Sequence, residues 1–158
     1  VPTVIDADGL THVAGEGLSF LAEAAAPRIL TPHPGEAGRL LERSTADVQR
    51  NRYASAEQLA HEAGQVVILK GARSIVGTPE ELRVCAEGTP ALGVAGTGDV
   101  LSGVVGALSM TLPPADAAIA GALLHALAGV EASVGDRGLI ASEVADAVPV
   151  VLDHVVIR

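Results

Sequence analysis

Val66-Val67-Ile68-Leu69-Lys70-Gly71 is an unbroken apolar run, mostly β-branched, that stops on a lysine and a glycine. It offers no polar side to solvent, which suits a strand buried on both faces in the middle of a parallel sheet. Just before it, Ala56, Leu59, Ala60 and Ala63 recur at the i, i+3, i+4, i+7 spacing of one helix face, and Gly64 is a good helix stop. Ser44 and Thr45 are the cap candidates for that segment. Just after it, Ser74-Ile75-Val76 and Leu82-Arg83-Val84-Cys85 read as two strands, with Pro79-Glu80 in the turn between them.

Farther out the alternation continues. Val4-Ile5 is a short strand ending in the acidic turn Asp6-Ala7-Asp8-Gly9, and Gly15 to Ala26 is a weak helix stopped by Pro27. Arg28-Ile29-Leu30-Thr31 is another strand. Pro32-His33-Pro34-Gly35 makes a stiff connection into a helix from Glu36 that carries Ala37, Leu40 and Leu41. Downstream, Leu101, Val104, Val105 and Leu108 mark one helix face, and Pro113-Pro114 opens a helix from Asp116 to about Val134. Ser142 caps a short helix that Pro149 ends, and Val150 to Arg158 reads as strand or helix. Strands alternating with helices predict an α/β fold, a mainly parallel sheet flanked by helices.

Composition excludes several function classes. Of 158 residues, 49% are apolar and 18% charged, which is not the profile of a disordered chain. The net charge of −9 opposes binding to DNA and to anionic membranes. Phe20 and Tyr53 are the aromatic residues and there is no tryptophan, so a stacking groove for single-stranded nucleic acid is excluded. One cysteine, Cys85, allows no intrachain disulfide and no cysteine zinc cluster. Mean hydropathy is high at +0.42. The longest uncharged stretch, Val100 to Ala115, is interrupted by Gly103, Gly106, Pro113 and Pro114 and is shorter than the roughly 20 residues of a spanning helix. A cytoplasmic protein is the expectation.

Three segments carry chemistry. Gly96-Thr97-Gly98-Asp99 enters a helix directly, so free N–H groups and the positive end of the helix dipole face one point, as phosphate binding requires. Asp99 is placed to act as general base toward a hydroxyl beside that phosphate; alternatively it is an ordinary carboxylate favoured by the helix start. The chain has neither G-x-x-x-x-G-K-[ST] nor G-x-G-x-x-G, so it is not a P-loop and lacks the Rossmann fingerprint. Lys70-Gly71-Ala72-Arg73-Ser74 follows a buried strand, at the carboxyl end where open α/β sheets bind ligands. The alternative there is a hairpin turn with a solvated lysine. Thr31-Pro32-His33-Pro34-Gly35-Glu36 fixes a histidine between two prolines, able to hydrogen-bond a polar substrate, with Glu36 in the next helix's first turn. A purely structural turn is the alternative. His125 in an apolar helix reads as a satisfied core histidine, Cys85 as inert core, and Asp6 and Asp8 as possible site-lining carboxylates.

Taken in order, these segments resemble the ADP-dependent NAD(P)H-hydrate dehydratases of the ribokinase-like superfamily. The resemblance rests on Val4-Ile5-Asp6-Ala7-Asp8-Gly9-Leu10, Leu30-Thr31-Pro32-His33-Pro34-Gly35-Glu36, Ile68-Leu69-Lys70-Gly71-Ala72, Gly96 to Gly103, His125 to Gly129 and Ala141-Ser142-Glu143. It implies repair of hydrated NADH or NADPH, driven by ADP with Mg²⁺, through phosphorylation of the added hydroxyl and loss of phosphate. It implies that His33, Glu36 and Asp99 meet the hydrated nicotinamide, with Asp99 catalytic. Lys70, Gly71, Ala72, Arg73, Ser74, Gly96, Thr97 and Gly98 would hold the adenine nucleotide. No metal ligand is assignable. A homo-oligomer that binds neither nucleic acid nor membrane is expected.

The chain departs from the family pattern in three places. Ala95 stands where a glycine is usual, and Glu87-Gly88-Thr89-Pro90-Ala91 replaces an asparagine- and glycine-rich approach to the loop. Family members also have further strands and helices before the Asp6-Ala7-Asp8 strand. Residues 1–158 are therefore expected to be a partial ribokinase-like domain, truncated on its N-terminal side, with an open sheet edge and an exposed apolar face. Two other functions compete: a ribokinase-like kinase of a small molecule such as a vitamin precursor, and a nucleotide-binding fragment without catalysis.

Overall fold

The computed structural model describes residues 1–156. In chain order the elements are β1 (Thr3–Ile5), α1 (Asp8–Glu16), a 3₁₀ turn (Leu18–Glu23), β2 (Arg28–Leu30), α2 (Pro34–Leu40), α3 (Thr45–Arg50) and α4 (Arg52–Ala63). Then come β3 (Val66–Leu69), β4 (Ile75–Gly77), β5 (Leu82–Val84), a second 3₁₀ turn (Pro90–Leu92), α5 (Thr97–Leu108), α6 (Pro114–Ala132) and α7 (Ala141–Val156).

The five strands form one sheet in the order β1-β2-β3-β4-β5. The first three run parallel, while β4 and β5 fold back as antiparallel neighbours, so the sheet is mixed. The Val66–Leu69 run is the central strand, as its composition predicts, and all four residues are buried. Their alternation serves two cores. Val67 and Leu69 join Leu30 and Ile75 against Leu10, Leu40, Val48, Leu59 and Ala60 from α1 to α4. Val66 and Ile68 join Ile29 and Val76 against Leu101 and Val105 of α5 and Ala117, Ala118 and Ala122 of α6. Full burial of each such aliphatic side chain contributes about 1.5–3 kcal/mol. The second core admits its helices closely because α6 is rich in small residues. A Cβ at Gly121 would stand 2.5 Å from the Val105 side chain and 3.3 Å from its Cα.

The structure corrects several expected boundaries. The weak helix from Gly15 to Ala26 is instead α1, which begins at Asp8 straight after a tight turn in which the Gly9 amide donates to the Asp6 carbonyl. Gly17, at φ 90°, ends it, and a 3₁₀ turn carries the chain on to residue 23. The segment capped by Ser44 is two helices. Asn51 leaves helical geometry at φ −131°, ψ 50°, closing α3 with its N–H and opening α4 with its carbonyl. Pro149 does not end its helix but lies inside α7. The proline has no N–H to offer the exposed Ala145 one turn back, and the packing of Val144, Ala147 and Val151 onto α6 outweighs that loss. Ser142 sits in the first turn rather than capping it; the Glu143 carboxylate accepts from the Ile140 amide instead. The ambiguity over Val150–Arg158 resolves to helix as far as Val156, and Ile157 and Arg158 lie outside the described residues.

β1 is an edge strand, with Val4 and Ile5 half-buried against opposite cores. The long apolar helix is α6 rather than Val100–Ala115. By length and composition alone it is able to cross a membrane, yet eight of its residues are buried against the rest of the fold.

Candidate functional site

The carboxyl ends of β1, β2 and β3 and the start of α5 meet at one end of the sheet. The Lys70 amide donates to the Pro32 carbonyl at 2.8 Å, which ties the end of β3 to the proline-rich connection after β2. The Lys70 ammonium then donates to Asp6 Oδ1 at 2.8 Å and lies 3.8 Å from Glu36 Oε2. Ser102, on α5, donates to the other oxygen of Asp6 at 3.0 Å. The side chains of Lys70 and Asp6 are only 19% and 14% exposed. Ala7, next to Asp6, has φ 48° and ψ −119°, a conformation rarely adopted by a residue with a side chain.

Lys70 is also a neighbour of the glycine loop. A Cβ at Gly98 would stand 3.3 Å from Lys70 Nζ. Gly96, at φ 88°, turns the chain into α5 and offers no side chain to cap it. Its carbonyl takes the amides of Asp99 and Val100. The Thr97 hydroxyl reaches back to the carbonyls of Leu92 (2.8 Å) and Val94 (3.0 Å), so the loop is held from within. The Thr97 carbonyl also accepts from His125 Nε2 at 2.8 Å, and that ring is largely buried. Burial holds the His125 pKa below its usual value, opposed by the bond to Thr97 and reinforced by the nearby Lys70 charge. The ring is therefore neutral near pH 7, with its proton on Nε2.

Behind this junction lies a cavity of about 630 Å³. Lys70, Gly71, Ala72, Arg73, Ser74, Thr97 and Gly98 line it, which brings seven sequence-predicted residues into one wall. Glu87, Gly88, Leu92, Ala122 and Ala126 form much of the rest. Gly96 is not in that wall; it shapes the loop. His33, Glu36 and Asp99 are also outside it. Asp99 is exposed in the first turn of α5.

His33 and Glu36 form a reciprocal cap. His33 Nδ1 accepts from the amides of Gly35 (2.9 Å) and Glu36 (3.3 Å), while Glu36 Oε2 accepts from the His33 amide at 2.7 Å. With Nδ1 committed as an acceptor, the His33 proton sits on Nε2, which faces Glu36 Oε1 at 3.4 Å on a ring 53% exposed.

Sequence reasoning undervalued three residues. Asp6 is the hub of the charged junction, and its place at a strand's carboxyl end was the available signal. His125 is not merely a core histidine, since it also lines the cavity. Cys85 lies beyond the end of β5 as a half-buried cavity residue, its thiol pushed up in pKa mainly by burial and bonded to the Ala122 carbonyl.

The Carb_kinase family, described as NAD(P)H-hydrate dehydratase, matches residues 1–149. The ADP-dependent (S)-NAD(P)H-hydrate dehydratase of Neisseria meningitidis is 40% identical over 152 residues, covering 92% of this chain and 51% of that protein. The bifunctional NAD(P)H-hydrate repair enzyme Nnr of Vibrio cholerae is 43% identical over 146 residues, covering 90% of this chain and 28% of that protein. The chain thus spans about half or less of these relatives' lengths. The Bacillus subtilis ADP/ATP-dependent NAD(P)H-hydrate dehydratase, co-crystallised with ATP/Mg²⁺, superposes with a TM-score of 0.85 at 29% identity, covering 97% of this chain and 55% of that one. A hydroxyethylthiazole kinase from Pyrococcus horikoshii shares the fold, with a TM-score of 0.74 at 22% identity.

Proposed function

Because the chain belongs to the NAD(P)H-hydrate dehydratase family, we propose that its protein restores hydrated NADH or NADPH to the normal cofactor, using ADP. The observation that carries this reading is the junction itself. An ammonium and an uncapped helix N-terminus meet at Gly98, with a cavity of about 630 Å³ on one side and the exposed Asp99 carboxylate at hand. A nucleotide in the cavity, along Lys70–Ser74, presents its terminal phosphoryl group to the amides of Gly96–Gly98 and to Lys70.

Asp99 takes the proton of the hydrate hydroxyl, whose oxygen forms a bond to the terminal phosphorus as the bond to AMP breaks. The phosphate ester then departs as phosphate, taking the C–O electron pair, and loss of a proton from the adjacent ring carbon restores the double bond. His33, through its exposed Nε2–H, and Glu36 orient the nicotinamide end. Among the described residues no three His, Cys, Asp or Glu side chains converge on a point. That donor set fits Mg²⁺ only as an ion carried on the nucleotide phosphates with water and single carboxylates, where it would neutralise phosphate charge. A cytoplasmic homo-oligomer acting on these two small molecules completes the reading, with neither nucleic acid nor membrane as partner; the charge of −9 supports the exclusion of those two polyanionic partners.

The test is turnover of hydrated NADH by the full-length protein with ADP, followed at the absorbance of NADH. Recovery of NADH with release of AMP and phosphate is the expected result. Phosphorylation of a vitamin-precursor alcohol with no recovery of NADH would establish the kinase reading instead. ADP binding with neither activity would establish the non-catalytic one.

A further inference from the structure

Arg52 is the first residue of α4, and α4 runs back along β3, so its start lies under the carboxyl end of that strand. One amino group, Nη2, donates to two carbonyls, Leu69 at 3.2 Å and Arg73 at 3.2 Å. These carbonyls flank the turn Lys70–Arg73. The turn takes positive φ twice: at Gly71, φ 141°, which glycine adopts freely, and at Arg73, φ 58°, which is uncommon for a residue with a side chain. A Cβ at Gly71 would collide with the Arg52 guanidinium, so the arginine fills the space where a side chain would stand.

Among the described residues Arg52 has no carboxylate partner. It stands at the N-terminal end of a helix, where the dipole disfavours a cation. Desolvation lowers its pKa from the usual arginine value, yet an arginine stays charged. Its bonds go to backbone carbonyls of the turn that lines the cavity.

We propose that Arg52 is a positioning residue for the nucleotide: its guanidinium holds Lys70–Arg73 in the backbone shape that forms one wall of the cavity and sets Lys70 at Gly98. The inference rests on the nucleotide reading above, which assigns the turn a ligand but says nothing of what holds the turn.

Two measurements on the full-length protein test it. In Arg52→Ala, amide hydrogen exchange in residues 71–74 should quicken about tenfold, while that in Val66–Leu69 is unchanged. Calorimetric titration should show the Kd for ADP rising about tenfold, and kinetics should show the effect in KM with kcat within about twofold. Arg50→Ala removes an equal charge from an exposed pair with Asp47 and should leave both readouts unchanged. If Arg52→Ala does not fold, Arg52→Lys keeps the stem and charge but not the planar fork, and both readouts should move in the same direction. Unchanged exchange, an ADP affinity within twofold of wild type, or an equal loss in Arg50→Ala overturns the inference alone. Wild-type protein that binds no ADP overturns the nucleotide reading and this inference together.

Discussion

Two helices begin at the same end of the sheet, on either side of Lys70, and they begin in opposite ways. α2 is closed by its own residues. His33 and Glu36 satisfy each other's backbone, and Pro34 removes a further donor. α5 starts on Gly96 with no side-chain cap, its first amides open and an ammonium beside them. The first arrangement leaves nothing for a ligand's phosphate, and the exposed His33 edge faces Glu36 Oε1 at 3.4 Å. The second has no side-chain acceptor of its own, which is what the proposed phosphate site requires. Helix starts of similar sequence interest thus differ in whether a side chain of the chain itself caps them.

The largest expected effect falls on the open end. Asp99→Asn should lower turnover of the full-length protein by about 10²–10⁴ while far-UV circular dichroism and Tm stay at wild-type values. An unaltered rate would remove Asp99 as the base. Next, ADP at about 100 times its Kd should raise the unfolding free energy by about 2.7 kcal/mol, read as a shift in the urea midpoint. That gain should vanish in Gly96→Val, whose side chain has no room beside Ala141 and must hold φ 88°, at an intrinsic cost of about 1–2 kcal/mol. At the closed end, His33→Ala should cost about 1 kcal/mol by urea unfolding through loss of the cap, whether or not ADP is present.

The smallest effect is one of pH and concerns His125, which braces the open end. Its folded-state pKa lies below the ordinary 6.5, because burial disfavours the charged ring. As pH drops below 6.5 the unfolded chain takes up the proton first, so stability decreases as the pH is lowered until the folded-state value is passed. His125→Gln should flatten the dependence of urea midpoint on pH in that window. An unchanged slope would show that the ring does not titrate on unfolding.

Much of this was legible from residues alone. The Val66–Leu69 run, the two segments flanking it and the glycine loop announce themselves through local pattern, and each is where the pattern puts it. Boundaries failed where tertiary packing outweighed local preference: Pro149 is tolerated because one face of α7 is buried, and Asn51 divides a segment that reads as a single helix. At the site, lysine, glycines and Asp99 are visible because their chemistry sits next to a strand end or helix start. Asp6, Arg52 and His125 are separated from Lys70 by most of the chain's folding, so no spacing in the sequence pairs them with it. His33 and Glu36 show the converse. Their spacing allows either substrate chemistry or a structural turn, and the structure shows that it builds a helix cap.

The two aromatic side chains, Phe20 and Tyr53, are 65% and 61% exposed, and neither lines the cavity. With no tryptophan among these 158 residues, their ultraviolet emission comes from one surface tyrosine, and both cores are optically silent. A nucleotide in the proposed site would meet no ring whose emission it quenches directly. Tyr53, however, is the residue after Arg52. Its emission is a native lamp fixed beside the brace of the Lys70 turn, in a stretch of chain otherwise dark at those wavelengths.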